Sequence, residues 1–140
     1  MPDGCYIGID YGLNHIGIAL GQSITGTASA LLTIHVKKGF NWDQLDSIIQ
    51  QWQPLAIIIG KPVTEAGIEQ LITRQAHNFA KKILHRYQLP VHEIDERYSS
   101  MQAQEDFAGA RKIGNAKKKH GKNLDAHAAK NILQRWLNLQ

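Results

Sequence analysis

Cys5-Tyr6-Ile7-Gly8-Ile9-Asp10-Tyr11-Gly12 is an apolar run that ends in an acid and a glycine. Its short length and branched residues predict a strand over residues 5 to 10. Alternation places Cys5, Ile7 and Ile9 on one face and Tyr6, Gly8 and Asp10 on the other. Gly8 leaves room beside Asp10, and Gly12 allows close backbone approach. Tyr11-Gly12-Leu13-Asn14-His15 makes a tight connection to a second strand over residues 16 to 20. A third strand is expected from Thr27 to Val36, between Gly26 and Lys37-Lys38-Gly39. Strands joined by such short turns form an antiparallel meander.

The pattern then changes period. Trp42, Leu45, Ile48, Ile49 and Trp52 fall at helical spacing, and Pro54 ends the helix. Leu55-Ala56-Ile57-Ile58-Ile59 is continuously apolar, as an internal parallel strand covered on both faces should be. Gly60 to Gly67 reads as a loop. Ile68, Leu71, Ile72, Gln75, Phe79, Ile83 and Leu84 mark an amphipathic helix ending near Tyr87. Pro90 to Ile94 is a further strand. Ser99 or Ser100 can cap a helix to about Gly109. Residues 110 to 122 read as a mobile loop rich in Gly, Asn and Lys, and Leu124 to Leu139 as the last helix. The expected fold is α/β, a mixed five-stranded sheet flanked by helices, in one domain over residues 1–140.

Hydrophobic content of 43% argues against disorder. One cysteine, Cys5, leaves no internal disulfide, and its place in the first strand predicts a buried, inert thiol. The start Met1-Pro2-Asp3-Gly4 carries no basic leader, and no apolar run reaches the ~20 residues of a membrane span. A cytoplasmic, untargeted protein with no membrane association is expected.

The net charge of +4 is unevenly spread. Arg111, Lys112, Lys117, Lys118, Lys119 and Lys122 lie in one stretch without an acid; without those six, 10 basic residues face 12 acids, so the remainder stands at −2. A local positive field of this kind suits a polyanion. The stretch holds no aromatic residue, so it would grip phosphates rather than stack bases. An ordinary solvated loop is the plain alternative.

Three acids need explaining. Asp10 ends a buried-looking strand, Glu96 follows another in Ile94-Asp95-Glu96-Arg97, and Asp125 shares a helix face with Ala128, Ala129, Ile132, Leu133 and Trp136. Burying carboxylates is costly unless they are paired or hold a metal. Converging acids would repel, and a divalent cation relieves that repulsion, as in metal-dependent phosphodiesterase sites. Each has an ordinary rival reading. Asp10 can cap turn amides, Asp125 can favour a helix N-terminus, and Asp95-Glu96-Arg97 can be a solvated turn. Asp95 and Glu96 point to opposite faces if the strand continues, and Glu96 is preferred. Lys61, Glu65, Arg97, His120 and His127 are weaker candidates for phosphate, metal or proton contacts.

Taken together, Gly8-Ile9-Asp10-Tyr11-Gly12, Ile16-Gly17-Ile18-Ala19, Ile59-Gly60-Lys61-Pro62, Asp95-Glu96-Arg97-Tyr98-Ser99-Ser100 and Leu124-Asp125-Ala126-His127-Ala128-Ala129 resemble the YqgF/RuvX-like family. The resemblance spans nearly the whole chain. It implies a ribonuclease H-like fold and a catalytic triad of Asp10, Glu96 and Asp125 binding Mg²⁺ or Mn²⁺. The implied activity is a metal-dependent nuclease in 5′-end processing of 16S ribosomal RNA precursors. Implied partners are structured RNA, branched DNA and ribosomal precursor particles. Two departures from the family pattern stand out. Gly60-Lys61-Pro62-Val63-Thr64-Glu65-Ala66-Gly67 lacks the usual Asn and Asp, and Tyr98-Ser99-Ser100 replaces the commoner Leu-Thr-Thr or Leu-Ser-Thr.

Three other functions are compatible with parts of the pattern. Resolution of four-way DNA junctions requires two symmetric cuts and hence a dimer, whereas end trimming needs only a monomer or weak homodimer. A non-catalytic nucleic-acid-binding module would keep the fold without cutting. A kinase-like phosphate-binding lobe shares the opening strand but needs two lobes, and 140 residues supply one.

Overall fold

The computed structural model describes residues 3–36, 39–61, 71–95 and 121–140, with side chains in the last segment described from Asp125 onward. Strands β1 (Cys5–Asp10), β2 (His15–Gln22) and β3 (Thr27–His35) form the expected meander, with β2 antiparallel to both neighbours. Helix α1 (Trp42–Trp52) leads to β4 (Ala56–Lys61), and α2 (Leu71–Tyr87) leads to β5 (Val91–Asp95). Helix α3 (Gly121–Asn138) closes the chain. The strand order is β3-β2-β1-β4-β5, with β4 parallel to β1 and β5. The mixed five-stranded sheet read from the sequence is therefore present.

Local chemistry explains the boundaries. Asn41 caps α1 by accepting a hydrogen bond from the Gln44 amide at 3.1 Å. Gln53 ends α1 in the left-handed region at φ 45°, donating its N–H to the Ile49 carbonyl at 2.8 Å. Pro54 follows, as expected of a residue that cannot continue the helix. β4 is buried at every position from Ala56 to Gly60, as a strand covered on both faces must be.

Several boundaries differ from the sequence reading. β2 extends to His15 and Gln22, and Gly60 and Lys61 belong to β4 rather than to a loop. α3 starts at Gly121, so Lys122 sits in a helical turn and not in the loop assigned to residues 110–122. The first four amides of a helix need no intrahelical acceptor, so a Gly-Lys-Asn opening is tolerated there despite its loop-like composition. The proposed 99–109 helix and the rest of the basic stretch lie outside the described residues.

The sheet has two unlike faces. One carries Ile7, Ile9, Ile16, Ile18, Ile34, Ile57 and Ile59, packed against Leu45 and Ile48 of α1 and Phe79, Ala80 and Ile83 of α2. The other carries Tyr6, Ala19, Ala56 and Ile58, packed against Ala129, Ile132, Leu133 and Leu137 of α3. Cys5 is buried at the start of β1, and burial pushes its thiol pKa up, which matches the inert thiol expected. Among the described residues no helix is long and apolar enough to cross a membrane.

Candidate active site

Asp10 closes β1 on the α3 face. Its register partners are Gly17 on β2 and Gly60 on β4. Gly60 in turn pairs with Ile94 of β5, and Gly17 with Thr33 of β3. Asp10 thus stands between two glycines, and the sheet surface around it is bare of bulk.

That bareness admits α3. A Cβ at Gly17 would overlap the backbone of Asp125 and the Ala126 amide. At Gly8 a Cβ would lie 2.7 Å from the Leu133 Cβ and 2.9 Å from the Ala129 carbonyl. The space that Gly8 leaves is therefore filled by the helix rather than held open for a ligand. Gly12 serves the turn, because a Cβ there would run into the His15 carbonyl. On the helix side the approach is matched by buried Ala126, Ala128 and Ala129. The chain at Asp125 rests on the glycine paired with Asp10, so the two acids share one rim of the sheet.

Asp125 is the fifth residue of α3, beyond the first turn. A capping role, which belongs to the residues at and just before the helix start, does not account for it. Its side chain is 31% exposed, and burial pushes its carboxyl pKa above the usual carboxylate range, against the pull of His15 and His35. The His15 Nδ1 lies 3.9 Å from the Asp125 Oδ2. His15 pairs in register with His35, and their rings meet edge to face at 4.7 Å.

At the β5 edge, His92 stacks on Trp136 of α3 at 5.5 Å and Ile94 packs into the α3-side core. Alternation therefore assigns Asp95 to the opposite face from Asp10. The Arg135 Nη1 donates to the Asp95 carbonyl at 2.9 Å, tying α3 to the carboxyl end of β5. Glu96, Glu65, Arg97, His120, Arg111, Lys112, Lys117, Lys118 and Lys119 lie outside the described residues. Among the described residues no group of three or more His, Cys, Asp or Glu side chains is placed to hold a metal. His15 and His35 were not singled out by the sequence reading. Their convergence depends on a strand register that the sequence alone does not display.

The RuvX family model, described as "Holliday junction resolvase", matches residues 4–139. A protein of Xylella fastidiosa strain M23 named "Putative pre-16S rRNA nuclease" is 42% identical over 138 residues, covering 98% of this chain and 89% of that one. A Xanthomonas oryzae protein of the same name is 39% identical over 98% of this chain and 89% of its own. Among solved structures, Thermus thermophilus RuvC in complex with a Holliday junction substrate aligns with a TM-score of 0.60 at 14% identity, covering 97% of this chain and 94% of that one. The yeast mitochondrial Holliday junction resolvase Ydc2 aligns at 0.55 and 8% identity, covering 94% of this chain and 77% of the other. These likenesses are of fold, and the fold is that of ribonuclease H-like resolvases.

Proposed function

The chain belongs to the RuvX family, and on that premise we propose that it is a metal-dependent nuclease acting on the 5′ end of 16S ribosomal RNA precursors. The observation that carries this reading is the seating of Asp125 on Gly17, the register partner of Asp10. Two acids brought to one partly exposed rim of the sheet suit a site in which negative charge is used.

The donor set fits a hard divalent cation. Asp10 and Asp125 offer oxygen ligands, and Asp125 is partly desolvated, a state that a cation relieves. Asp10, Glu96 and Asp125 would hold Mg²⁺ or Mn²⁺, which supplies phosphate polarisation and an activated water when bound. Glu96 is favoured over Asp95 because Asp95 faces away from Asp10 by strand alternation. Gly17 and the small residues of α3 keep the two acids in fixed relation. Arg111, Lys112, Lys117, Lys118, Lys119 and Lys122 would draw in the phosphate backbone without reading sequence.

A second reading, cleavage of four-way DNA junctions, is favoured by the description of the matching family model. One experiment separates the two. Labelled 5′-extended 16S precursor RNA and a four-way DNA junction are incubated with Mg²⁺ or Mn²⁺, wild type beside Asp10→Asn. We expect the RNA to be cut and Asp10→Asn to lose about a thousandfold in rate or more, as removal of a central catalytic group does. Junction cutting that depends on Asp10 would select the second reading. An Asp10→Asn enzyme that cuts at wild-type rate would remove the triad.

A further inference from the structure

We propose that His15 and His35 form a phosphate contact for the nucleic-acid strand, beside the carboxylates on the β3 side of the site. The inference rests on the nuclease reading and adds to it a residue pair that binds substrate.

The placement follows from strand register. His15 precedes Gly17 by two residues on β2, so both project from the same face, and Gly17 is the partner of Asp10. His15 therefore stands roughly 7 Å further out along the sheet than the Asp10 row, on the α3 side. His35 is its partner on β3.

That partnership depends on an irregularity. From Gln22↔Thr27 to Ala19↔Ala30 the strands pair without interruption, and the register then shifts so that Ile18 meets Leu32. Leu31 is the extra residue. Without the bulge, His15 would face Ile34 and His35 would turn to the other side of the sheet. With it, Ile34 enters the large core and His35 joins His15 at the rim. Bulges beside active sites commonly re-aim a side chain in this way.

The chemistry suits an anion. His35 is exposed and the His15 side chain is 38% exposed. The His15 nitrogen nearest Asp125 is Nδ1, so Nε2 lies on the other edge of the ring. Among the described residues neither imidazole has a hydrogen-bond partner, which leaves N–H donors for a ligand. The Val36 amide donates to the Asn14 carbonyl at 2.9 Å, so the turn before His15 and the end of β3 are bound together and the pair is held in place. A phosphodiester, singly charged with two acceptor oxygens, matches two adjacent imidazole donors.

The test reads binding, so that it stands apart from cleavage. In an Asp10→Asn background, affinity is measured for a short labelled single-stranded RNA and for copies with one methylphosphonate at each position in turn. His15→Ala and His35→Ala are each expected to weaken binding about five- to tenfold, and His15→Gln, which keeps an N–H donor, by much less. One methylphosphonate position should cost the parent the same factor and cost the alanine variants nothing more. Unchanged affinity, or losses that multiply at every position, would overturn the contact and leave the histidines as supports of Asp125. Failure of wild type to cut RNA or junction would instead strike the nuclease reading, with the histidine contact still judged on the methylphosphonate pattern.

Discussion

The two faces of this sheet solve different problems. Toward α1 and α2, seven isoleucines meet Leu45, Ile48, Phe79 and Ile83, and bulk separates backbone from backbone. Toward α3, small residues Gly8, Gly17, Gly21, Ala19 and Ala56 let the helix come close, and at Gly17 and Gly8 the helix backbone itself, at Asp125 and Ala129, lies against the strand. The first arrangement buries area, the source of most folding free energy. The second gives up area for placement. A helix held by side-chain packing can shift as rotamers change, whereas one seated on glycine has no such slack. Asp10 and Asp125, the acids proposed for catalysis, lie on the second face.

The difference is broken most severely at Gly17. Its missing Cβ would fall inside the Asp125 backbone, which cannot rotate aside. Gly17→Val is expected to cost about 4 kcal/mol, at the upper end for single substitutions. Gly17→Ala should reduce cleavage more than its loss in Tm accounts for, because the helix must lift away from Asp10. Gly21 is the control. There a Cβ meets the Leu133 Cδ2 at 2.8 Å and the Leu137 Cδ1 at 3.1 Å, both ends of side chains that can yield. Gly21→Ala should cost about 1 kcal/mol and leave cleavage near normal. Equal effects at Gly17 and Gly21, by melting and by rate, would end the distinction between the two contacts.

On the opposite face, Ile59 is fully buried in β4. Ile59→Ala should cost about 3 kcal/mol through lost transfer energy and a cavity. Below its lowered Tm, the rate per folded molecule should match wild type. A large fall in rate at temperatures where the variant is folded would show that the two faces are not independent.

The faces themselves were legible early. Alternation in β1 separated Ile7 and Ile9 from Tyr6 and Asp10, and the helical stripe put Asp125 with Ala129 and Leu133. The closeness of Asp125 to Asp10 was not legible. A glycine in a strand pattern signals small size or a bulge, and only the tertiary contact reveals what occupies the space. The His15–His35 pair was hidden for a stricter reason. Hairpin counting from the β2–β3 turn pairs His15 with Ile34, and the one-residue bulge at Leu31 has no distinctive sequence mark. The start of α3 was misplaced because Gly121-Lys122-Asn123 has the composition of a loop, and a first helical turn tolerates that.

Asp125 offers a gentler test of the second face. Its carboxylate is partly desolvated on the same rim as Asp10, so its charge costs stability in the free protein. Asp125→Asn keeps the shape and removes the charge. We expect a gain of about 1 kcal/mol in stability together with loss of cleavage. A lower Tm would mean that favourable partners hold the carboxylate, and that the site is not strained by its acids.

The smallest effect belongs to the clamp that joins α1 to α2 over the large face. The Arg86 Nε and Nη2 donate to the two carboxylate oxygens of Asp46 at 2.8 and 2.6 Å, and the Tyr87 hydroxyl donates to Oδ1 at 2.6 Å. The Arg86 guanidinium also lies 5.1 Å over the Trp42 ring. These bonds, Arg86 first and Tyr87 second, lower the Asp46 pKa from 3.8 to about 2. A lowered folded-state value for an acid means stability that is present above the unfolded value and lost as pH falls through the folded one. The clamp should therefore act fully above pH 3.8 and fade toward about 2. The pair is half exposed, so its contribution is small and screened by salt. The difference in Tm between wild type and Asp46→Asn should shrink across that window and with added salt. A difference that ignores both pH and salt would assign the clamp to packing of Trp42 and Tyr87, leaving the two helices of the large face held by bulk alone.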